Sequence, residues 1–393
     1  MPPVDDSARD ALIAGVPDVA DALADLDEST RGRRLVLARP GWTWLVAAMA
    51  RRADRALLVV VPEDTEARDR AADLEAVLGR NAVGLWPSRG TVAHGAVGAS
   101  PHLVGLRARA AAMLGEPGRV VVAGVPALDE RIPPPESWGD PLQIAVGARM
   151  EPEELVDRLV ALGYERTNQV EERGDLAVRG GIVDVYPSTA RNPVRVEFFG
   201  DEVESVRAFS PFTQRTIRPL ERALAWPARE PEGDDLRDPL DLPGVARCVV
   251  VRGAPAEFPA AARAARERFE DEAAAGLLSD ADALIDRLDA AAALDLVPPG
   301  GQGGAAFDAI EPRFAVRGQS EAEAEMGRLA RNGHRVVVMF ERRGDMERAL
   351  MRMERIQPAA VAPGELPQPG TVAFTTLGAK SGLLSPSLHL ALI

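Results

Sequence analysis

The sequence predicts an α/β protein built on a parallel sheet, interrupted by an antiparallel α+β unit and followed by a smaller α/β unit. Three observations predict it. Short apolar runs such as LVLA (35–38), ALLVVVP (56–62) and RVVVAGVPAL (119–128) alternate with helical stretches, the pattern of a parallel sheet covered on both faces. From about residue 143 that texture gives way to one amphipathic helix and a series of hairpins. After ALAWPAREPEGDD the alternation returns at CVVV (248–251).

In chain order, residues 8–27 read as a helix broken near Pro17. LVLA is a buried strand, and RPGWTWLVAAMARR turns from it into a helix with Gly41 or Thr43 near its start. ALLVVVP is a second strand, EDTEARDRAADLEAVLG its helix, NAVGLWP (81–87) a third strand, and LVGLRARAAAML the helix before the fourth. PPPESW (133–138) marks a boundary, and MEPEELVDRLVALGY is an amphipathic helix closed by Gly163, a natural C-cap. PPGGQGGAAF (298–307) is the most linker-like stretch. Beyond it, 322–356 read helix, strand, helix, with TVAFTT and LHLALI as further strands. The chain ends on an apolar strand, so a fragment of a longer protein is expected. The organisation expected is one α/β domain in two halves, 1–142 and 226–305, with 143–225 inserted between them, and a small α/β domain at 306–393 truncated at its C-terminus.

A chain of 393 residues has room for roughly two to four domains with cores of their own. Its net charge of -14 disfavours a general nucleic-acid binder or a ligand of acidic membranes. No apolar run approaches the ~18 residues of a membrane span, and MPPVDDSARD lacks a signal-peptide layout. The lone Cys248 sits in an apolar run as a small core residue. A cytoplasmic protein is expected.

All but one of the 46 basic residues are arginine, the exception being Lys380. A phosphate-binding loop needs lysine at the end of G-x-x-x-x-G-K-[ST]; GAKSG (378–382) has Ala379 in place of the second glycine, with no glycine-rich turn before it. No nucleotide site, cofactor or catalytic residue is expected in the chain. His94, His102, His334 and His389 show no paired spacing and supply no metal set; His334 reads as a satisfied structural histidine. No serine has a nucleophile-elbow context. Glu151, Glu153, Glu154 and Asp157, and again Glu321, Glu323 and Glu325, read as solvated helix faces.

The informative stretch is VRGGIVDVYPSTARNPVRVEFFGDEVESV (178–206). Asp175–Tyr186 reads as extended, with a bulge or close backbone approach at Gly180–Gly181. In VRVEFF, Val194, Val196 and Phe198 share one face and Arg195, Glu197 and Phe199 the other; Gly200–Asp201 is a two-residue hairpin turn. Arg166, Arg173, Arg179, Arg195 and Arg207 lie on or beside one small sheet in an acidic protein. Arginine and aromatics are concentrated at the centres of protein interfaces. The bland alternative is one phenylalanine in the sheet core and arginines solvating its open face.

Residues 163–216, with VRGGIVDVYP, RVEFFGDEVESVR and the trailing TQRT, resemble the module shared by the excision-repair protein UvrB and the transcription-repair coupling factor Mfd. LWPSRG and the preceding strands are similar to the first α/β domain of the Mfd family, and RVVVMFERRGDMERALMRM with LHLALI to the small domain after its UvrB-like region. UvrB itself has a true phosphate-binding loop where this chain has ARPGWTW, and an aromatic hairpin that two tyrosines in all cannot supply.

The resemblance therefore implies a UvrB-like parallel domain whose nucleotide site is lost, an inserted UvrA-binding domain, and a small α/β domain. It implies a non-catalytic part that recruits UvrA and is masked in cis by the motor half of a parent ATP-dependent DNA translocase. RNA polymerase and DNA would be partners only through downstream domains. Arg179 matches a family arginine, Tyr186 an aromatic before Pro187, and Arg166 follows Glu165, where some relatives have the arginine; Arg173 and Phe199 complete the expected UvrA-contact set. The stretch 230–245 is shorter than in the family, a departure that falls at the packing between the α/β halves. A UvrB-type helicase subunit and a purely autoinhibitory clamp are the alternatives.

Overall fold

A computed structural model describes residues 33–89, 99–231, 233, 235–268, 276–301, 305–312, 318–363 and 365–393. The helix expected at 8–27 and His94 lie outside them. The first half of the chain lays down β1 (Arg33–Val36), β2 (Leu57–Val61), β3 (Val83–Trp86) and β4 (Val120–Gly124). The valine-rich runs of β2 and β4 are buried on both faces, as a covered parallel sheet requires. Between them run α1 (Arg39–Arg52), α2 (Asp64–Leu78) and α3 (Pro101–Met113), with the short α4 (Val125–Asp129) after β4. The first strand stops two residues before the expected LVLA run does, because Pro40 opens α1.

Next come β5 (Leu142–Ala145), α5 (Pro152–Ala161), β6 (Glu165–Arg166), β7 (Asp175–Arg179), β8 (Ile182–Val185), β9 (Val194–Phe199), β10 (Glu202–Phe209), β11 (Thr216–Leu220) and β12 (Arg222–Ala225). Six of these form one sheet in the order β11-β10-β9-β8-β7-β6, and β5 pairs antiparallel with β12. Gly163 ends α5 at φ +87, as the sequence indicates. The expected bulge at Gly180–Gly181 is instead a two-residue hairpin turn. Arg179 pairs with Ile182 and Gly180 takes φ +62, which favours glycine.

The chain then returns to the first sheet with β13 (Val249–Gly253), α6 (Phe258–Arg268), α7 (Ala281–Ala291), β14 (Ala292–Val297) and β15 (Ala305–Ala306). The resulting order is β15-β1-β14-β13-β2-β4-β3, so that sheet takes strands from both sides of the antiparallel stretch. A last unit contains α8 (Gln319–Arg331), β16 (Arg335–Phe340), α9 (Arg343–Arg352), β17 (Ala359–Ala360), β18 (Val372–Thr376), β19 (Leu383–Ser385) and β20 (Leu390–Leu392), with sheet order β17-β18-β16-β20-β19.

Where ARPGWTW leaves β1, Trp42 and Trp44 are buried, and Trp42 Nε1 donates to Leu37 O at 2.8 Å. Arg39 and Arg70 flank the Trp42 ring at 5.4 and 5.5 Å from its centroid. GAKSG forms a docking turn: Asp73 accepts from Lys380 N at 2.8 Å and from Ser381 Oγ, while Trp44 Nε1 donates to Ser381 O at 2.9 Å. The last unit is thereby tied to α1 and α2.

Two expectations are corrected here. Glu323 is buried, accepting from Glu354 N at 3.0 Å and Arg355 N at 2.6 Å, so it caps a chain segment instead of facing solvent. His334, read as a satisfied histidine without a paired neighbour, meets His389: their rings pack edge-on at 5.5 Å, and His334 Nδ1 is buried with no hydrogen-bond partner among the described residues. Cys248 is half-buried, its Sγ 3.1 Å from Gly244 O, and burial pushes the thiol up to about 12.

At the end of α4, both carboxylate oxygens of Asp129 are buried with no hydrogen-bond partner among the described residues, and Arg266 Nε lies 3.6 Å away. Burial pushes the pKa of Asp129 up to about 6. The folded state then binds this proton more tightly than the unfolded chain, so the group lowers stability as pH rises from about 4 to about 6. Asp129→Asn should flatten that slope and raise stability at neutral pH by about 1–2 kcal/mol. Urea unfolding across this pH range tests it; an unchanged slope contradicts it.

Candidate functional site: the open face of the antiparallel sheet

The six-stranded sheet has one covered face and one open one. Leu176, Val183, Val185, Val194, Val196, Val203 and Val206 are buried together with Leu155, Val156 and Leu159 of α5. Strand alternation therefore directs Ala177, Arg179, Ile182, Asp184, Arg195, Glu197, Phe199, Ser205, Arg207 and Phe209 to the opposite face.

That open face has three zones. At its lower end Ala177, Tyr186, Phe209 and Val170 form a small buried cluster. Tyr186 is only 9% exposed, its hydroxyl donates to Arg191 O at 2.9 Å, and Arg173 stacks 5.5 Å from its ring centroid. Arg173 Nε donates to Ala190 O at 2.9 Å. Tyr186 is thus a platform beneath Arg173 and offers little contact surface of its own.

In the middle, charges are paired across strands. Arg195 holds Asp184 through two hydrogen bonds of 2.7 Å, gives a third to Gln214 Oε1 at 3.1 Å, and lies 4.7 Å from the Phe209 ring centroid. The Asp184 hydrogen bonds raise the Arg195 guanidinium above its ordinary value. Arg207 pairs with Glu197, which also accepts from Ser205 Oγ at 2.8 Å. These arginines are committed within the sheet.

At the upper end two hairpin tips lie side by side, because Ile182 pairs with both Arg179 and Glu197 and Phe198 N donates to Gly181 O at 2.9 Å. Here the side chains are available. Phe199 is 79% exposed. Arg179 is exposed, spends one donor on Asn168 O at 2.9 Å, and makes no ion pair among the described residues. Strand spacing puts the two Cα positions on the order of 12 Å apart, within one partner footprint. Ile182, half-buried between them, was missed in the sequence because the strand was read through the glycines. Arg166 is exposed but pairs with Leu176, on the covered-face side of the edge, so it does not join Arg179. Phe212, 95% exposed in the turn after β10, was also missed.

The sheet is fixed to the first parallel sheet's layer from below. Ser188 O is 2.8 Å from His102 Nδ1 and Thr189 O accepts from Arg80 Nη2 at 2.9 Å. A Cβ at Gly105 would meet Ser188 Oγ at 2.2 Å, so α3 and this loop are in close contact. Burial lowers the His102 pKa below its ordinary value, and Arg173 and Arg80 press in the same direction. Glu230 is gripped by Arg89 Nε at 2.8 Å and Arg107 Nη1 at 3.4 Å.

Residues 142–230 match the UvrB interaction domain. The matched segment spans the six-stranded sheet, α5 and the β5–β12 ribbon. The chain is 38% identical over 239 residues to the transcription-repair-coupling factor of Mycobacterium tuberculosis, covering 57% of this chain and 19% of that protein. It is 36% identical over 187 residues to the transcription-repair-coupling factor of Bacillus subtilis, covering 47% and 16%. With UvrABC system protein B of Thermotoga maritima it shares 35% identity over 111 residues, 28% of this chain and 17% of that protein. The chain thus spans a fifth or less of the length of these curated relatives. No helix among the described residues is long and apolar enough to cross a membrane.

Proposed function

We propose that the chain is a non-catalytic recruiting and regulatory part of a transcription-repair coupling factor, binding UvrA through the open face of its interaction domain. In this reading 143–225 is an interaction domain inserted into a UvrB-like parallel domain whose two halves are 1–142 and 226–305, and 306–393 is a separate small α/β domain. The observation that carries it is the pairing of an available guanidinium, Arg179, with an exposed aromatic, Phe199, at adjacent hairpin tips of a segment matching the UvrB interaction domain. Tyr186 and Arg173 stiffen the other end of the face, and Arg166 lies at its margin. ATP-driven translocation and contacts with RNA polymerase and DNA belong to other domains of a parent protein, whose motor half masks the face in cis. Trp42 and its flanking arginines stand where a helicase would hold a nucleotide, which favours this reading over a UvrB-type helicase. Titration of the chain against purified UvrA should give saturable binding; a folded chain that binds nothing overturns the proposal.

A further inference from the structure

A second surface, away from the open face, has the chemistry of a ligand site. A groove of about 430 Å³ runs between the end of α3 and the β5–β12 ribbon. Ligand pockets typically occupy about 300–1,000 Å³. Arg109 of α3, Arg119 just before β4 and Arg222 of β12 line this one, with Asn81, Gln143 and Trp226 completing its wall. The only carboxylate lining it is Glu116, which pairs with Arg119 Nε at 2.8 Å.

The cations are held in place. Arg109 Nη2 donates to Val83 O at 3.0 Å and to Arg80 O, and Arg119 Nη1 donates to Asn81 O at 2.9 Å. Arg222 is exposed and makes no ion pair among the described residues. Burial lowers the Arg109 pKa; Glu75 opposes that shift, while Arg80 and Arg119 reinforce it. Like charges crowded this way in an acidic protein are relieved by an anion. Planar guanidinium forks suit phosphate oxygens. Trp226, Asn81 and Gln143 line the groove beside them, an aromatic and two amides of the kind that hold a heteroaromatic ring.

We propose that this groove binds a small phosphorylated ligand of the nucleoside-phosphate class, with its phosphates on Arg109, Arg119 and Arg222 and its ring toward Trp226. The site hydrolyses nothing. It lies where the interaction domain meets the parallel sheet, so occupancy bridges the two.

Calorimetric titration of the whole chain with adenosine diphosphate is the test, with pyrophosphate and adenosine as separate arms. One saturable site is expected, weakened about tenfold or more by Arg222→Glu and weakened by added salt. Pyrophosphate should retain part of the affinity and adenosine little of it. Gln143→Ala, a second surface change, should weaken the diphosphate more than pyrophosphate. Three results overturn the proposal: no saturable binding of adenosine diphosphate at millimolar concentration, binding unaffected by a folded Arg222→Glu chain, or tighter binding of an acidic peptide that displaces it.

Discussion

Replacing Asp295 with alanine should cost the fold about 3–5 kcal/mol, because it leaves a buried guanidinium with only an exposed carboxylate on one side. Arg252 and Asp295 face each other on β13 and β14, and only 6% and 1% of their surfaces remain exposed. Two hydrogen bonds join them, Nε to Oδ1 at 2.8 Å and Nη2 to Oδ2 at 3.0 Å. Asp289 takes the remaining side of the guanidinium but is itself largely exposed. Truncating Asp289 leaves Arg252 still paired and should cost about 1 kcal/mol or less. Urea unfolding of both variants separates the two cases. A loss below 1 kcal/mol for Asp295→Ala would mean that water reaches this pair.

The second large effect concerns binding. Arg179→Glu should weaken UvrA binding by about 2 kcal/mol or more, and Phe199→Ala by a comparable amount. An exposed aromatic gains most from a partner pocket, and an arginine with free donors gains a carboxylate without first breaking an ion pair. Arg195 lacks that freedom: its donors already serve Asp184 and Gln214. Arg195→Ala should therefore act mainly through sheet stability. Arg166→Glu is the control; lying on the other side of the sheet edge, it should leave affinity within about 0.5 kcal/mol. Equal losses for Arg166→Glu and Arg179→Glu would show a general charge effect and not a defined face.

Much of this was legible in the sequence, and the exceptions share a cause. Runs such as LLVVV and VVVAG announced buried parallel strands, and Gly200–Asp201 announced its hairpin. At Gly180–Gly181 the apolar alternation shifts by one residue, from Leu176 and Val178 to Val183 and Val185. A bulge and a two-residue turn both produce that shift, and only the pairing of Arg179 with Ile182 distinguishes them. The misreading hid Ile182 at the centre of the candidate face. Glu323 looked like part of a solvated face because the amides it caps lie 31 and 32 residues away. His334 and His389 meet because β20 pairs beside β16, a non-local event that no spacing rule reveals. For the candidate site, the family resemblance proposed Arg179, and strand parity placed Phe199 on one face with Arg195 and Glu197. Neither signal could show that Tyr186 lies under Arg173, nor that Arg166 belongs to the other face.

The most direct measurement is amide hydrogen exchange of the chain with and without UvrA. Protection concentrated at 179–182 and 197–202, with the Glu165–Arg166 edge unchanged, is the result expected of a partner seated on the open face. Protection confined to α5 or to that edge, with both hairpin tips exchanging as in the free chain, would contradict it.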